Sequence, residues 1–134
     1  MHRILAGTRV LDLTQFFSGP QATLFLAGLG AEVIRIDSPA GADRVALGAP
    51  YAGAEGVSFK RKSADDLNVN YLKRTRGKKA ITLDLKKEEG RKLFLRLVEK
   101  ADIVVENFSV GVMARLGLDY ATLSAANPRL IYCA

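Results

Sequence analysis

The sequence predicts an α/β domain: an open parallel sheet with flanking helices. Three observations predict it. Short β-branched and leucine-rich runs at 9–14, 32–37, 80–85, 102–106 and 130–133 alternate with helical patterns, the signature of parallel strands joined by crossover helices. The 134 residues, 49% hydrophobic and 25% charged, suit one domain with a real core. No apolar run approaches the roughly 20 residues of a membrane span, and the start lacks an h-region and cleavage site. A cytoplasmic protein is expected.

Arg9–Thr14 (RVLDLT) reads as the first buried strand. Ser18-Gly19-Pro20 then looks like a helix start, with serine as N-cap and proline in the first turn. Gln21–Leu29 forms the helix, Gly30 stops it, and Glu32–Asp37 (EVIRID) is the second strand. This β-α-β unit calls for parallel strands. Periodicity then disappears from Gly41 to Lys79, which reads as one long basic loop. Ala80–Leu85 is the third strand, and Lys86–Ala101 an amphipathic helix with Leu93, Leu97, Phe94 and Val98 at helical spacing. Asp102–Glu106 is the fourth strand. Val110–Leu116 and a helix capped by Asp119 precede the fifth, Leu130–Cys133. The chain stops inside that apolar strand, so it is expected to be the front part of something longer.

The net charge of +6 is not spread evenly. Residues 60–79 hold eight basic and two acidic residues, and the remainder balances to zero. Such a segment is a phosphate or polyanion site, a nucleic-acid patch, or a solvated loop. Duplex or single-strand binders interleave aromatics with the charge, and this stretch offers only Tyr71. The single cysteine, Cys133, excludes an internal disulfide and a cysteine-based zinc site, and reads as a buried small hydrophobe. The single histidine, His2, leaves no Ser/His/Asp triad and no multi-histidine metal site.

Ligands of open α/β sheets bind beyond the carboxyl ends of the strands. The turn Gln15–Pro20 lies there, with one glycine, Gly19, and no dinucleotide fingerprint. Phe16 and Phe17 either line an apolar ligand or pack into the core or a partner. Asp37 either holds a ribose hydroxyl or caps a loop, and Arg35 reads as a surface side chain. Asn107 and Phe108, at the end of the fourth strand, either bind a base or form a tight turn. Arg115 either reaches a phosphate or does not. Asp12, Asp84 and Glu106 are strand carboxylates that more simply bond neighbouring loop N–H groups than act as nucleophile or base.

Several blocks in fixed order carry a family resemblance: VLDLT with Gly19-Pro20, then LGAEVIRI, ITLDLK, ADIVVENF, RLGLDY and NPRLIY. Together they closely resemble the N-terminal part of the family III CoA-transferases, which include formyl-CoA transferase, carnitine CoA-transferase and alpha-methylacyl-CoA racemase. The resemblance runs from Leu5 to Ala134. It implies a Rossmann-like, CoA-binding segment of a protein about three times longer that forms interlocked homodimers. It implies a transferase that moves CoA between an acyl-CoA thioester and a carboxylate through an aspartyl-CoA thioester. The alternatives are the racemase branch and a non-catalytic basic interaction domain.

By the same resemblance, Phe17 and Ser18 lie along the CoA, Leu83, Asp84, Leu85 and Lys86 border the nucleotide, and Asn107, Phe108 and Ser109 sit beside them. Arg115 matches an arginine for the phosphate or adenosine end. CoA is substrate, with no permanently bound cofactor, metal, nucleic acid or membrane implied. The catalytic aspartate of the family falls beyond Ala134, so these residues alone are expected to be inactive, and to self-associate or be marginally stable. Ser38 stands where some members carry a 3′-phosphate arginine, leaving Arg44 or the basic segment as substitutes. Asn107-Phe108-Ser109-Val110-Gly111 lacks the family's proline. Thr75-Arg76-Gly77-Lys78-Lys79 keeps the family's charge there without its amides.

Overall fold

The computed structural model describes residues 3–39 and 48–134. In chain order the elements are β1 (Arg9–Asp12), α1 (Ser18–Gly28), β2 (Glu32–Asp37), β3 (Tyr51–Gly53), β4 (Gly56–Ser58) and β5 (Leu67–Asn68). There follow α2 (Val69–Thr75), β6 (Lys79–Thr82), α3 (Glu88–Val98), β7 (Ile103–Val105), α4 (Val112–Arg115), α5 (Tyr120–Ala126) and β8 (Ile131–Cys133).

The main sheet has the order β6-β2-β1-β7-β8, and every pairing in it is parallel. The predicted open α/β sheet is therefore present, with all five predicted strands. The chain builds outward from β1 through β2 to β6, then returns to the other side of β1 for β7 and β8. That reversal places the switch point of the sheet at the carboxyl ends of β1 and β7, where open α/β sheets bind ligands.

Alternation along the strands supplies both faces with apolar side chains. On one face Leu11, Ile36 and Val104 pack with Phe94 and Val98 of α3, Met113 of α4 and Leu123 of α5. On the other, Val10, Val33 and Val105 pack with Ala31, and Leu26 and Ala27 of α1 lie against them. Phe94 is fully buried, which contributes about 2–3 kcal/mol from area alone. The α3 amphipathicity read from the sequence is the reason: Gly90, Phe94 and Val98 recur every four residues on its buried side.

The stretch read as one loop over 41–79 is built differently in its described part. A second sheet of order β4-β3-β5, antiparallel throughout, is followed directly by α2. Its strands are two or three residues long, too short for alternation to register in the sequence. Asn68 caps α2 through its side chain, which accepts from Tyr71 N at 3.0 Å. Arg44 and His2 lie outside the described residues.

Ser18 is not the N-cap of α1. It is the first helical residue, and the cap position falls on Phe17, which offers no side-chain bond. Cys133 is exposed rather than buried, because β8 is an edge strand and its alternate residues 131 and 133 face outward. Asp84 lies in the turn after β6 and not inside a strand. Asp119 caps α5 as expected, accepting from Thr122 N at 3.0 Å. That bond to backbone N–H, with a second from the Thr122 hydroxyl, holds its carboxyl below the usual range.

Candidate functional site at the sheet switch point

At the carboxyl ends of β1 and β7 one side chain ties the two following loops together. Asn107, just beyond β7, accepts from Gln15 N at 2.7 Å and donates to Gln15 O at 2.9 Å. A residue 92 positions away thereby fixes the turn after β1. Gly19 lets the start of α1 sit close on this junction. A Cβ there would lie 2.5 Å from the Thr14 Cβ and 3.2 Å from the Asn107 side-chain carbon. The turn itself is strained at Phe16, whose φ of 63° is left-handed. Phe16 and Phe17 are exposed at 57% and 61%, so neither packs into the core.

Beneath the turn lies a buried ion pair that sequence reasoning missed. Lys78 Nζ is 2.9 Å from Asp12 Oδ2, and both side chains are almost fully buried. The ammonium also donates to Pro20 O at 2.9 Å and Thr23 Oγ1 at 2.7 Å. Thr23 in turn donates to Asp12 Oδ2 at 2.7 Å, and Thr14 N donates to Asp12 Oδ1 at 3.0 Å. Every partner is a charge or a hydrogen-bonding group, the condition under which a buried charge is tolerated. Lys78 belongs to the basic segment, yet it is structural and not solvated. Arg74 of α2 lies with its guanidinium carbon 4.3 Å from the Phe17 ring centroid and donates to Phe16 O at 3.1 Å.

A second buried pair sits at the end of β2. Arg35 is not a surface side chain: it is 2% exposed and its Nε is 2.8 Å from Asp37 Oδ1. Tyr71 of α2 donates to Asp37 Oδ2 at 3.1 Å, and its ring lies 5.3 Å from the Arg35 guanidinium carbon. Among the described residues, the Asp37 carboxylate oxygens bond Arg35 and Tyr71. Ser38 follows it, exposed.

Leu83, Asp84, Leu85 and Lys86 form the turn after β6. Asp84 Oδ1 accepts from Lys86 N at 3.1 Å, while Leu83 and Leu85 pack under the same core cluster as Phe108. Lys86 is exposed, as are Ser18, Asn107 and Ser109. Arg115, at the end of α4, is exposed too; a Cβ on Gly111 would lie 3.1 Å from its Nη1. All these residues follow the carboxyl ends of parallel strands and so share one edge of the sheet. Glu106 is tied down there: Oε2 accepts from Phe108 N at 2.6 Å and Oε1 from the Tyr132 hydroxyl at 2.9 Å. Burial first, and then the Glu106 carboxylate, push the Tyr132 phenol well above its ordinary value. The expectation that strand carboxylates bond neighbouring groups holds for Asp12 and Glu106.

The family model for CoA-transferase family III matches residues 5–134. The chain belongs to CoA-transferase family III. The succinate–glutarate CoA-transferase of Agrobacterium fabrum is 42% identical over 133 residues, covering 96% of this chain and 31% of that protein. The acetyl-CoA:oxalate CoA-transferase of Acetobacter aceti is 43% identical over 126 residues, 94% of this chain and 29% of that protein. A crystal structure of a CAIB/BAIF family protein from Brucella suis superposes with a TM-score of 0.83 at 41% identity, covering 96% of this chain and 32% of that one. This family III chain thus spans about a third of the length of the relatives it matches, and corresponds to their N-terminal part. No described helix is long and apolar enough to cross a membrane.

Proposed function

We propose that these residues form the CoA-binding part of an acyl-CoA:carboxylate CoA-transferase, with CoA seated at the β1/β7 switch point. The carrying observation is the Asn107–Gln15 junction at that reversal, in a chain of this family. Phe17 and Ser18 line one wall of the site, and Asn107, Phe108 and Ser109 the other. Leu83, Asp84, Leu85 and Lys86 border the nucleotide, and Arg115 takes a phosphate. The α1 start lacks a side-chain cap, which suits a polar ligand group near its N–H donors.

The chemistry needs a carboxylate that attacks the thioester carbonyl and expels the CoA thiolate, leaving a mixed anhydride. The thiolate then attacks the enzyme's own acyl carbon, releasing the first carboxylic acid as its carboxylate and forming an aspartyl-CoA thioester. Asp12, Asp37 and Glu106 are each bonded by two or more groups, which argues against any of them as that nucleophile. The aspartate is assigned to residues outside 1–134, so this chain alone binds without turning over. The similar relatives named above are transferases, which favours CoA transfer over racemisation. Association into a homodimer is part of the same proposal and rests on the family resemblance.

Calorimetric titration tests the binding claim. Saturable binding of CoA with no response to NADH is the expected result. A folded chain that ignores CoA, or takes NADH equally, contradicts it.

A further inference from the structure

Resting on that CoA-binding reading, we propose that Arg74 is a positioning residue: it holds the β1–α1 turn in the shape that receives CoA. The turn is not held by burial, since Phe16 and Phe17 are both more than half exposed. Its left-handed Phe16 backbone is a conformation that a non-glycine residue keeps only when its surroundings impose it. Arg74 supplies two such constraints from 58 residues away, one on the Phe16 carbonyl and one on the Phe17 ring face. The helix that carries Arg74 is itself fastened on both sides. Tyr71, three residues earlier, bonds Asp37, and Lys78, four residues later, is buried against Asp12. The segment carrying α2 is therefore anchored on both sides of Arg74, and Arg74 touches the exposed part of the turn.

This gives part of the basic segment a definite task. Two of its eight cations, Arg74 and the buried Lys78, hold the first turn. A turn already ordered before ligand arrives loses less conformational freedom on binding, which raises affinity without any new contact to the ligand.

The test compares the unaltered chain with Arg74→Ala and Arg74→Lys. Without ligand, amide hydrogen exchange at Phe16, Phe17 and Ser18 should speed up in Arg74→Ala while α3 amides keep their protection. Unchanged exchange at the turn overturns the proposal whatever CoA does. With CoA, Arg74→Ala should bind about fivefold to tenfold more weakly. Arg74→Lys, which keeps a donor and a cation over the ring, should recover part of that loss. The salt dependence of binding should stay the same in Arg74→Ala, because the residue acts through Phe17 and not on a phosphate. A flattened salt dependence would reveal a direct phosphate contact and overturn the positioning role. Failure of the unaltered chain to bind CoA defeats the proposed function, and the exchange result still decides the role of Arg74.

Discussion

Two turns on the same edge of the sheet are stabilised in different ways. The turn after β6 is held by its own neighbours: Asp84 accepts from Lys86 N, Lys87 N donates to Asp84 O at 3.1 Å, and Arg91 donates to Lys86 O at 2.8 Å. The turn after β1 is held from afar, by Asn107, Arg74 and Lys78. The local bonds of the 84–91 turn add to anchors it also has at a distance, Leu83 N donating to Asp37 O at 3.0 Å and Leu83 and Leu85 packing on the core. A turn held from afar exists only once two distant parts of the chain, 74–78 and 107, have assembled around it. In the proposed site the turn after β6 borders the nucleotide, and the turn after β1, shaped by the whole domain, is the better placed to make ligand geometry depend on the fold.

The contrast breaks most sharply at Lys78. Lys78→Met should destabilise the chain by about 3–5 kcal/mol, because it strands the buried Asp12 carboxylate. Denaturant unfolding measures the loss, and restoring neutrality with Asp12→Asn in the same chain should recover part of it. The local turn breaks at Gly90. A Cβ there would sit 2.0 Å from Asp84 O, so Gly90→Ala should lower stability by about 1–3 kcal/mol through forced backbone movement. Its damage should stay near 83–91 in a hydrogen-exchange map and leave residues 15–18 alone.

Asn107→Ala should cost about 1–3 kcal/mol, since it leaves both Gln15 backbone groups without that partner. It should also weaken CoA binding more than it weakens the fold, which calorimetry on the folded variant would check. The smallest effect concerns Tyr132. Its phenol is raised in the folded chain and ionises near 10 when unfolded. The stability it contributes is present below pH 10 and is lost as pH rises beyond that. Tyr132→Phe should flatten that alkaline decline in a pH series of melts.

Legibility in the sequence follows the same division between local and distant. The EVIRID run marks β2 over its full observed length, and of the Leu93, Leu97, Phe94 and Val98 spacing Phe94 and Val98 are buried while Leu93 is exposed. Asp119 announced its own cap. Each is encoded within about eight residues. Asn107 was visible as a polar residue at a strand end, but its partner 92 residues away was not. Lys78 looked like one cation among eight, and no local pattern separates a buried ammonium from its solvated neighbours. Arg35 was misread because charge predicts exposure, while burial here is made tolerable by Asp37 and Tyr71, which the sequence does not place beside it. The antiparallel sheet at 51–68 escapes for a different reason: its strands, two or three residues each, are shorter than the run of about four residues over which alternation registers.

The most direct test of the CoA site is an amide-resolved NMR titration of this chain with CoA. The account predicts that the perturbed amides cluster at 16–19 and 107–109, on the two sides of the β1/β7 switch point, with the 83–86 turn following. Shifts confined to the antiparallel sheet at 51–68, or no saturable shifts in a folded chain, would contradict it.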